Sequence, residues 1–279
     1  MNKEREVLYM KKAYLGYQVY SAREDAAKDL LGTLKQIAAM GYDGVELAGM
    51  YGHSAKEIRA MLDETGLVAI SSHVPLAEIR EDMFKVISDH LTLGCEYIAV
   101  PYLDETSRPG SAGFAQAIRT IYDFATLCLQ AGIQLLYHNH DFEFVSMSNQ
   151  FGLDFLYDCV PEDLLMTELD TCWVKYAGQD PVEYIHKYAG RCPVVHLKDF
   201  VGRRIEGRNP YALIGGASAD ADVPFMFKPV GYGCQDVKAI VDAGLESGAE
   251  WFIVEQDLSP ERPALESAKM SADTVLALL

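Results

Sequence analysis

A recurring junction narrows the fold of this chain more than any other feature. An amphipathic stretch ends in glycine, and a short, almost continuously apolar run follows. It occurs as AAMGYDGVEL at Gly41, DETGLVAISSH at Gly66, LTLGCEYIAVPY at Gly94, LQAGIQLLYHNH at Gly132, KYAGRCPVVHLKDF at Gly190 and LESGAEWFIVEQD at Gly248. Glycine just past a helix takes up the left-handed conformation that other residues resist. The apolar run after it reads as a parallel strand buried on both faces. Two further runs, YLGYQVY from Tyr14 and LLMTEL from Leu164, complete a set of eight candidate strands near 14–19, 43–47, 67–72, 96–101, 133–138, 164–169, 193–197 and 251–255. Helices alternate with them, from Asp25–Met40 to a last one near 260–278. Eight such units predict an α/β fold of the (β/α)8 TIM-barrel type rather than an open doubly wound sheet. YQVYSARED, after the first strand, lacks the GxGxxG of a dinucleotide fold, and GGASAD at 215–220 follows no clear strand.

At 279 residues the chain exceeds the ~150 residues of an average domain, but α/β barrels run to ~250 as one. No Gly/Ser- or proline-rich linker divides it. The expected organisation is an N-terminal extension over 1–13 and a single barrel domain over 14–279. The longest irregular stretch, Val201 to Gly233, carries Arg203, Arg204 and Arg208. A loop of that length is expected to serve function, with a passive surface insertion as the alternative.

The chain has 41 acidic and 24 basic residues, a net charge of -17, and that field repels a nucleic-acid backbone. No run approaches the ~18 apolar residues of a membrane span, and the first residues lack the apolar core of a secretory signal. The six cysteines form no CxxC pair. These features lead to the expectation of a cytoplasmic protein with neither a nucleic-acid nor a membrane partner; a homo-oligomer is left open.

Barrel chemistry sits at the C-terminal ends of the strands. There the sequence offers Gln18 and Tyr20, Glu46, His73, Tyr102, His138, Asn139, His140 and Glu143, Glu168 and Asp170, His196, Lys198 and Asp199, and Glu255 and Asp257. Four of the seven histidines, 73, 138, 140 and 196, fall at these positions. Strand alternation puts His138 with His140, and His196 with Lys198, on common faces. Imidazoles and carboxylates converging at a barrel mouth suit one borderline divalent ion such as Mn²⁺, Co²⁺ or Zn²⁺. The alternative is a hydrogen-bonded polar layer without metal.

In order and spacing, YQVYSARED, YDGVELAG, GLVAISSH, YHNHDFEF, LDTCW, VVHLKDF, PVGYGCQD and WFIVEQD resemble the xylose-isomerase-like TIM-barrel superfamily. The similarity is to its sugar phosphate isomerase/epimerase branch, related to inosose dehydratases and ketose epimerases. The resemblance covers about residues 14 to 279. It implies a metal held by a glutamate, an aspartate, a histidine and a glutamate from strands five to eight. Asp170, His196 and Glu255 match the last three. At strand five this chain departs from the pattern, because His138 stands where the glutamate would be; His140 or Glu143 are the other ligand candidates. A three-zinc nuclease branch is disfavoured, since Trp173 stands where that branch carries a ligand histidine.

The function so implied is a metal-dependent isomerase or epimerase of a small sugar or polyol, working through an enediolate. A lyase or dehydratase acting on a keto-inositol or 3-keto-sugar is the alternative, and a non-catalytic sugar-binding barrel the second. The proton-transfer residues expected are Glu255, Lys198 and His140, with Lys198 pushed toward its neutral form by a neighbouring cation; its other reading is a cation paired with Asp199 or Asp170. Glu46, His73, Tyr102 and Glu143 are expected to contact the substrate.

Overall fold

The computed structural model describes residues 13–204 and 225–279. Eight parallel strands close into a barrel: β1 Tyr14–Gln18, β2 Gly44–Ala48, β3 Val68–His73, β4 Tyr97–Val100, β5 Gln134–His138, β6 Leu165–Asp170, β7 Val194–Leu197 and β8 Trp251–Val254. Each pairs with its chain neighbours, and β8 returns to β1 with Trp251 beside Tyr14. Every strand lies within one residue of its sequence expectation. The cause is the junction itself: Gly41, Gly66, Gly94, Gly132, Gly190 and Gly248 all have φ between 74° and 96°, which stops each helix and releases the chain into the next strand.

Three expectations change in detail. The helix expected over Asp25–Met40 is two helices, Arg23–Ala26 and Leu30–Ala39, because extended Asp29 interrupts it and caps the second through the Gly32 amide. The last helix runs over Ala264–Leu276, after Pro263. The irregular stretch after the seventh strand begins and ends as a ribbon, Asp199–Gly202 antiparallel to Phe225–Lys228. Arg203 and Arg204 are exposed, whereas Arg208, GGASAD at 215–220 and residues 1–12 of the expected N-terminal extension lie outside the described residues. Among the described residues no helix is long and apolar enough to cross a membrane.

Strand alternation divides the apolar core in two. Outward residues such as Leu15, Val45, Ile98, Leu135, Leu169, Val195 and Phe252 join the helices in one cluster. Inward residues Ile70, Tyr97, Ala99, Leu136, Val194, Trp251 and Ile253, with Met166, form a separate plug inside the barrel. Gly16 and Gly44 make room for it, since a Cβ at either would come within 2.5–2.8 Å of Ile70. Burying each large plug side chain contributes roughly 1.5–3 kcal/mol. Two residues further along the same faces the inward positions become Gln18, Glu46, His138, Glu168, His196 and Glu255, all buried.

Candidate metal centre and active site

The polar layer rests on the plug because each strand presents the residue at i+2 on the same face as residue i. His138 stands above Leu136, His196 above Val194 and Glu255 above Ile253. At the C-terminal end of the barrel a cavity of about 540 Å³ opens over this layer, a volume suited to a small ligand. Its lining includes Tyr20, His73, Tyr102, His138, His140, Lys198, Glu255 and Asp257.

His138, Asp170, His196 and Glu255 each offer a ligand atom, and these atoms all lie within 4.8 Å of one another. His138 Nε2 lies 3.6 Å from Asp170 Oδ2, and His196 Nδ1 lies 2.9 Å from Glu255 Oε2. Asp170 is fixed by neighbouring backbone. Its Oδ1 caps the helix Thr171–Tyr176 through the Trp173 amide at 3.0 Å, and its own amide donates to Asn139 Oδ1 at 2.9 Å. Asp170 Oδ2 is buried and faces His138 Nε2 and the Lys198 ammonium. Two imidazoles and two carboxylates fit a divalent ion of borderline softness. A second set, His73, His138, Glu168 and His196, meets the same distance criterion.

A family description, xylose isomerase-like TIM barrel, matches residues 34–274. The chain belongs to that family. The inosose dehydratase of Geobacillus kaustophilus is 25% identical over 176 residues, 55% of this chain and 56% of the dehydratase, so the chain matches little more than half the length of that relative. A sugar phosphate isomerase/epimerase from Parabacteroides distasonis superposes with a TM-score of 0.73 at 21% identity, covering 97% of this chain and 96% of the other. The IOLI protein, solved with a bound zinc atom, gives a TM-score of 0.70 at 14% identity over 95% and 97% of the two chains. At these identities the superpositions establish the shared fold.

In this xylose isomerase-like barrel Lys198 stands among three carboxylates. Its Nζ lies 3.1 Å from Asp170 Oδ2, 3.0 Å from Glu255 Oε2 and 3.1 Å from Asp257 Oδ2. Burial pulls the ammonium toward neutrality, but Asp170, Asp257 and Glu255 outweigh it and hold the group well above the usual lysine range. Asp199 takes no part in this pairing: its carboxylate accepts from the amides of Phe200, Gly231, Gly233 and Gln235 and ties down the loop. Burial raises the Glu255 carboxyl, yet Lys198 and His196 more than reverse this and leave it well below the usual range.

His140 reaches the cavity from the loop after β5, its ring near-parallel to Phe142 at 5.5 Å and to Trp173 at 5.3 Å. Burial, and then Lys198, depress its imidazole well below the ordinary range, so it is neutral. Tyr102 stands at the rim, 36% exposed and edge-on to His140 at 5.2 Å. His73 lines the cavity wall. Its Nε2 lies 2.6 Å from Glu168 and 3.1 Å from Glu46; burial opposes protonation, but these two carboxylates raise the imidazole to about 10.

Two expected substrate contacts are placed elsewhere. Glu46 is fully buried beneath the cavity, where it accepts from Gln18 Nε2 at 2.6 Å and from the Ser71 hydroxyl. Its face is the expected one, but it lies one level too deep. Glu143 accepts from the Tyr137 hydroxyl at 2.6 Å and from the His140 amide at 2.8 Å. Tyr137 belongs to the outer core, so Glu143 pins the loop that carries His140 and contacts neither cavity nor ligand set. Sequence reasoning assigned no role to Asp257 or Glu168. The signal for Asp257 is its spacing, two residues beyond Glu255 at a strand end. Burial pushes its carboxyl up to about 7 although Lys198 pulls it down.

Proposed function

We propose that the chain is a metal-dependent epimerase or isomerase of a small sugar or polyol. The observation that carries this reading is the convergence of His138, Asp170, His196 and Glu255 at the floor of the cavity. The ion proposed there is Mn²⁺, Co²⁺ or Zn²⁺, and when bound it would supply a Lewis acid that polarises a substrate carbonyl.

The chain's own residues do the rest. His140, neutral and facing the cavity, removes the proton next to the carbonyl. Asp257 reaches the same cavity from the loop after β8, three places round the ring from β5, and returns a proton to the other face. That arrangement inverts a carbon centre. Lys198 stays protonated, balances Asp170, Glu255 and Asp257, and offers a charged donor to the developing oxyanion. The Glu255 carboxyl, held low by Lys198 and His196, serves as a ligand and leaves proton transfer to His140 and Asp257. Tyr102 and His73 border the sugar, and the apolar plug below keeps water out of the barrel.

A second reading, a dehydratase acting on a keto-inositol or 3-keto-sugar, is favoured by the match to an inosose dehydratase; Asp257 would then protonate a departing hydroxyl. One experiment addresses both. Metal-loaded protein is incubated in D₂O with a panel of ketoses, keto-inositols and 3-keto-sugars and followed by NMR. Deuterium entering a single carbon with inversion and no loss of water supports the epimerase. Loss of water from the product supports the dehydratase. Sugar binding without exchange at any carbon overturns both in favour of a binding barrel.

A further inference from the structure

Resting on the metal reading above, the geometry points to Glu168 as the positioning residue of the strand-five ligand: it holds His138 through Nδ1 so that Nε2 faces Asp170 and Glu255. Glu168 and Asp170 are two residues apart on β6, so both project into the barrel. In the sheet register Glu168 lies beside His138, and Asp170 beside His196. The two edges of the His138 ring therefore meet different carboxylates. Nδ1 is 3.1 Å from Glu168 Oε1, within hydrogen-bonding reach, while Nε2 is 3.6 Å from Asp170 Oδ2.

Glu168 is itself held in place. The same Oε1 is 2.6 Å from His73 Nε2, and His73 Nε2 is 3.1 Å from Glu46 Oε2. Glu46 in turn accepts from Gln18 and Ser71. A chain of contacts thus runs from β1, β2 and β3 through Glu168 to His138.

The two possible ligand sets share His138 and His196, and one imidazole nitrogen serves one ion. Spacing distinguishes the two edges of His138. Glu168 Oε1 is already taken up by His73 Nε2 at 2.6 Å and His138 Nδ1 at 3.1 Å, whereas Nε2 and Asp170 Oδ2 stand 3.6 Å apart, and Glu255 of that set lines the cavity. An ion that also meets substrate sits on the Asp170–Glu255 side, and the Glu168 side orients the ring. A carboxylate hydrogen-bonded to the far nitrogen of a metal-binding histidine fixes its tautomer and raises its basicity.

The test is a calorimetric titration of Zn²⁺ into the wild-type protein, Glu168→Gln and Glu168→Ala, well below their melting temperatures. We expect affinity to fall in the order wild type, Glu168→Gln, Glu168→Ala, by about 10–100-fold overall. A role in stability alone would lower the melting temperature and leave the affinity of the folded protein unchanged; wild-type affinity in Glu168→Ala overturns the inference and spares the metal reading. No binding by the wild type overturns the metal reading itself. Should the variants not fold, ¹⁵N NMR of the zinc-loaded wild type decides. A His138 proton on Nδ1 and a zinc-shifted Nε2 support the assignment, and zinc on Nδ1, or on Glu168 itself, overturns it.

Discussion

The lower and upper halves of the barrel interior are built on the same strands, two residues apart, and do opposite things. The lower half is a dry plug of Ile70, Leu136, Val194, Trp251 and Ile253. The upper half gathers Glu46, His73, His138, Glu168, Asp170, His196, Lys198 and Glu255, charged or titratable and almost wholly buried. Desolvating such groups costs several kcal/mol each unless they pair, and here they pair with one another. The contrast teaches that the plug supplies stability and rigidity while the polar layer uses them: the layer sits on a fixed floor, and a cation would relieve part of its crowding of carboxylates.

The sharpest way to break this contrast is Asp170→Ala. It removes a proposed ligand carboxylate and should abolish metal binding while the barrel stays folded. Elemental analysis beside circular dichroism checks it, and full metal content in the variant would remove Asp170 from the site.

That division was readable in the sequence to an uneven degree. The strands were legible because a glycine stop marks the start of six of the eight; alternation paired His138 with His140 and His196 with Lys198, and the family resemblance pointed to Asp170, His196 and Glu255. Alternation fails once a strand ends. Glu143 lies on the 3-10 turn Phe142–Phe144 and turns outward to Tyr137. Depth is equally hidden: Glu46 has the right face, but its level in the barrel depends on Gln18 and Ser71 from neighbouring strands. The state of Lys198 depends on carboxylates 28 to 59 positions away in the chain, on β6 and beyond β8, which no local pattern reports.

Lys198→Met comes next in size. It leaves Asp170, Glu255 and Asp257 buried without their common cation, which should destabilise the metal-free protein by about 3–5 kcal/mol. Added Zn²⁺ should restore much of that loss by binding the folded state. Denaturant titrations with and without zinc measure both; an unchanged midpoint in the metal-free variant would show that the ammonium does not hold the layer together.

Leu136→Ala sharpens the contrast from the other side. A cavity in the plug should cost about 2–5 kcal/mol with little change in metal affinity at low temperature. A large loss of affinity at modest destabilisation would show that floor and layer are not separable.

The smallest effect lies outside both halves. Burial raises the Glu143 carboxyl to about 8 from an ordinary 4.5, against the Tyr137 hydroxyl and the His140 amide, which lower it. The folded state therefore binds a proton that the unfolded state releases. The stabilisation is full below pH 4.5 and is lost as pH rises through about 8. Glu143→Gln should flatten that part of the pH dependence of the melting temperature; a slope equal to the wild type would contradict the assignment.

The central claim, that the upper layer is a metal centre completed by His138, is tested most directly by titrating Zn²⁺ into the wild-type protein and His138→Ala side by side. The account predicts one ion per chain in the wild type and an affinity weaker by more than about tenfold in the variant. No binding by the wild type, or equal affinity in the two proteins, would contradict it.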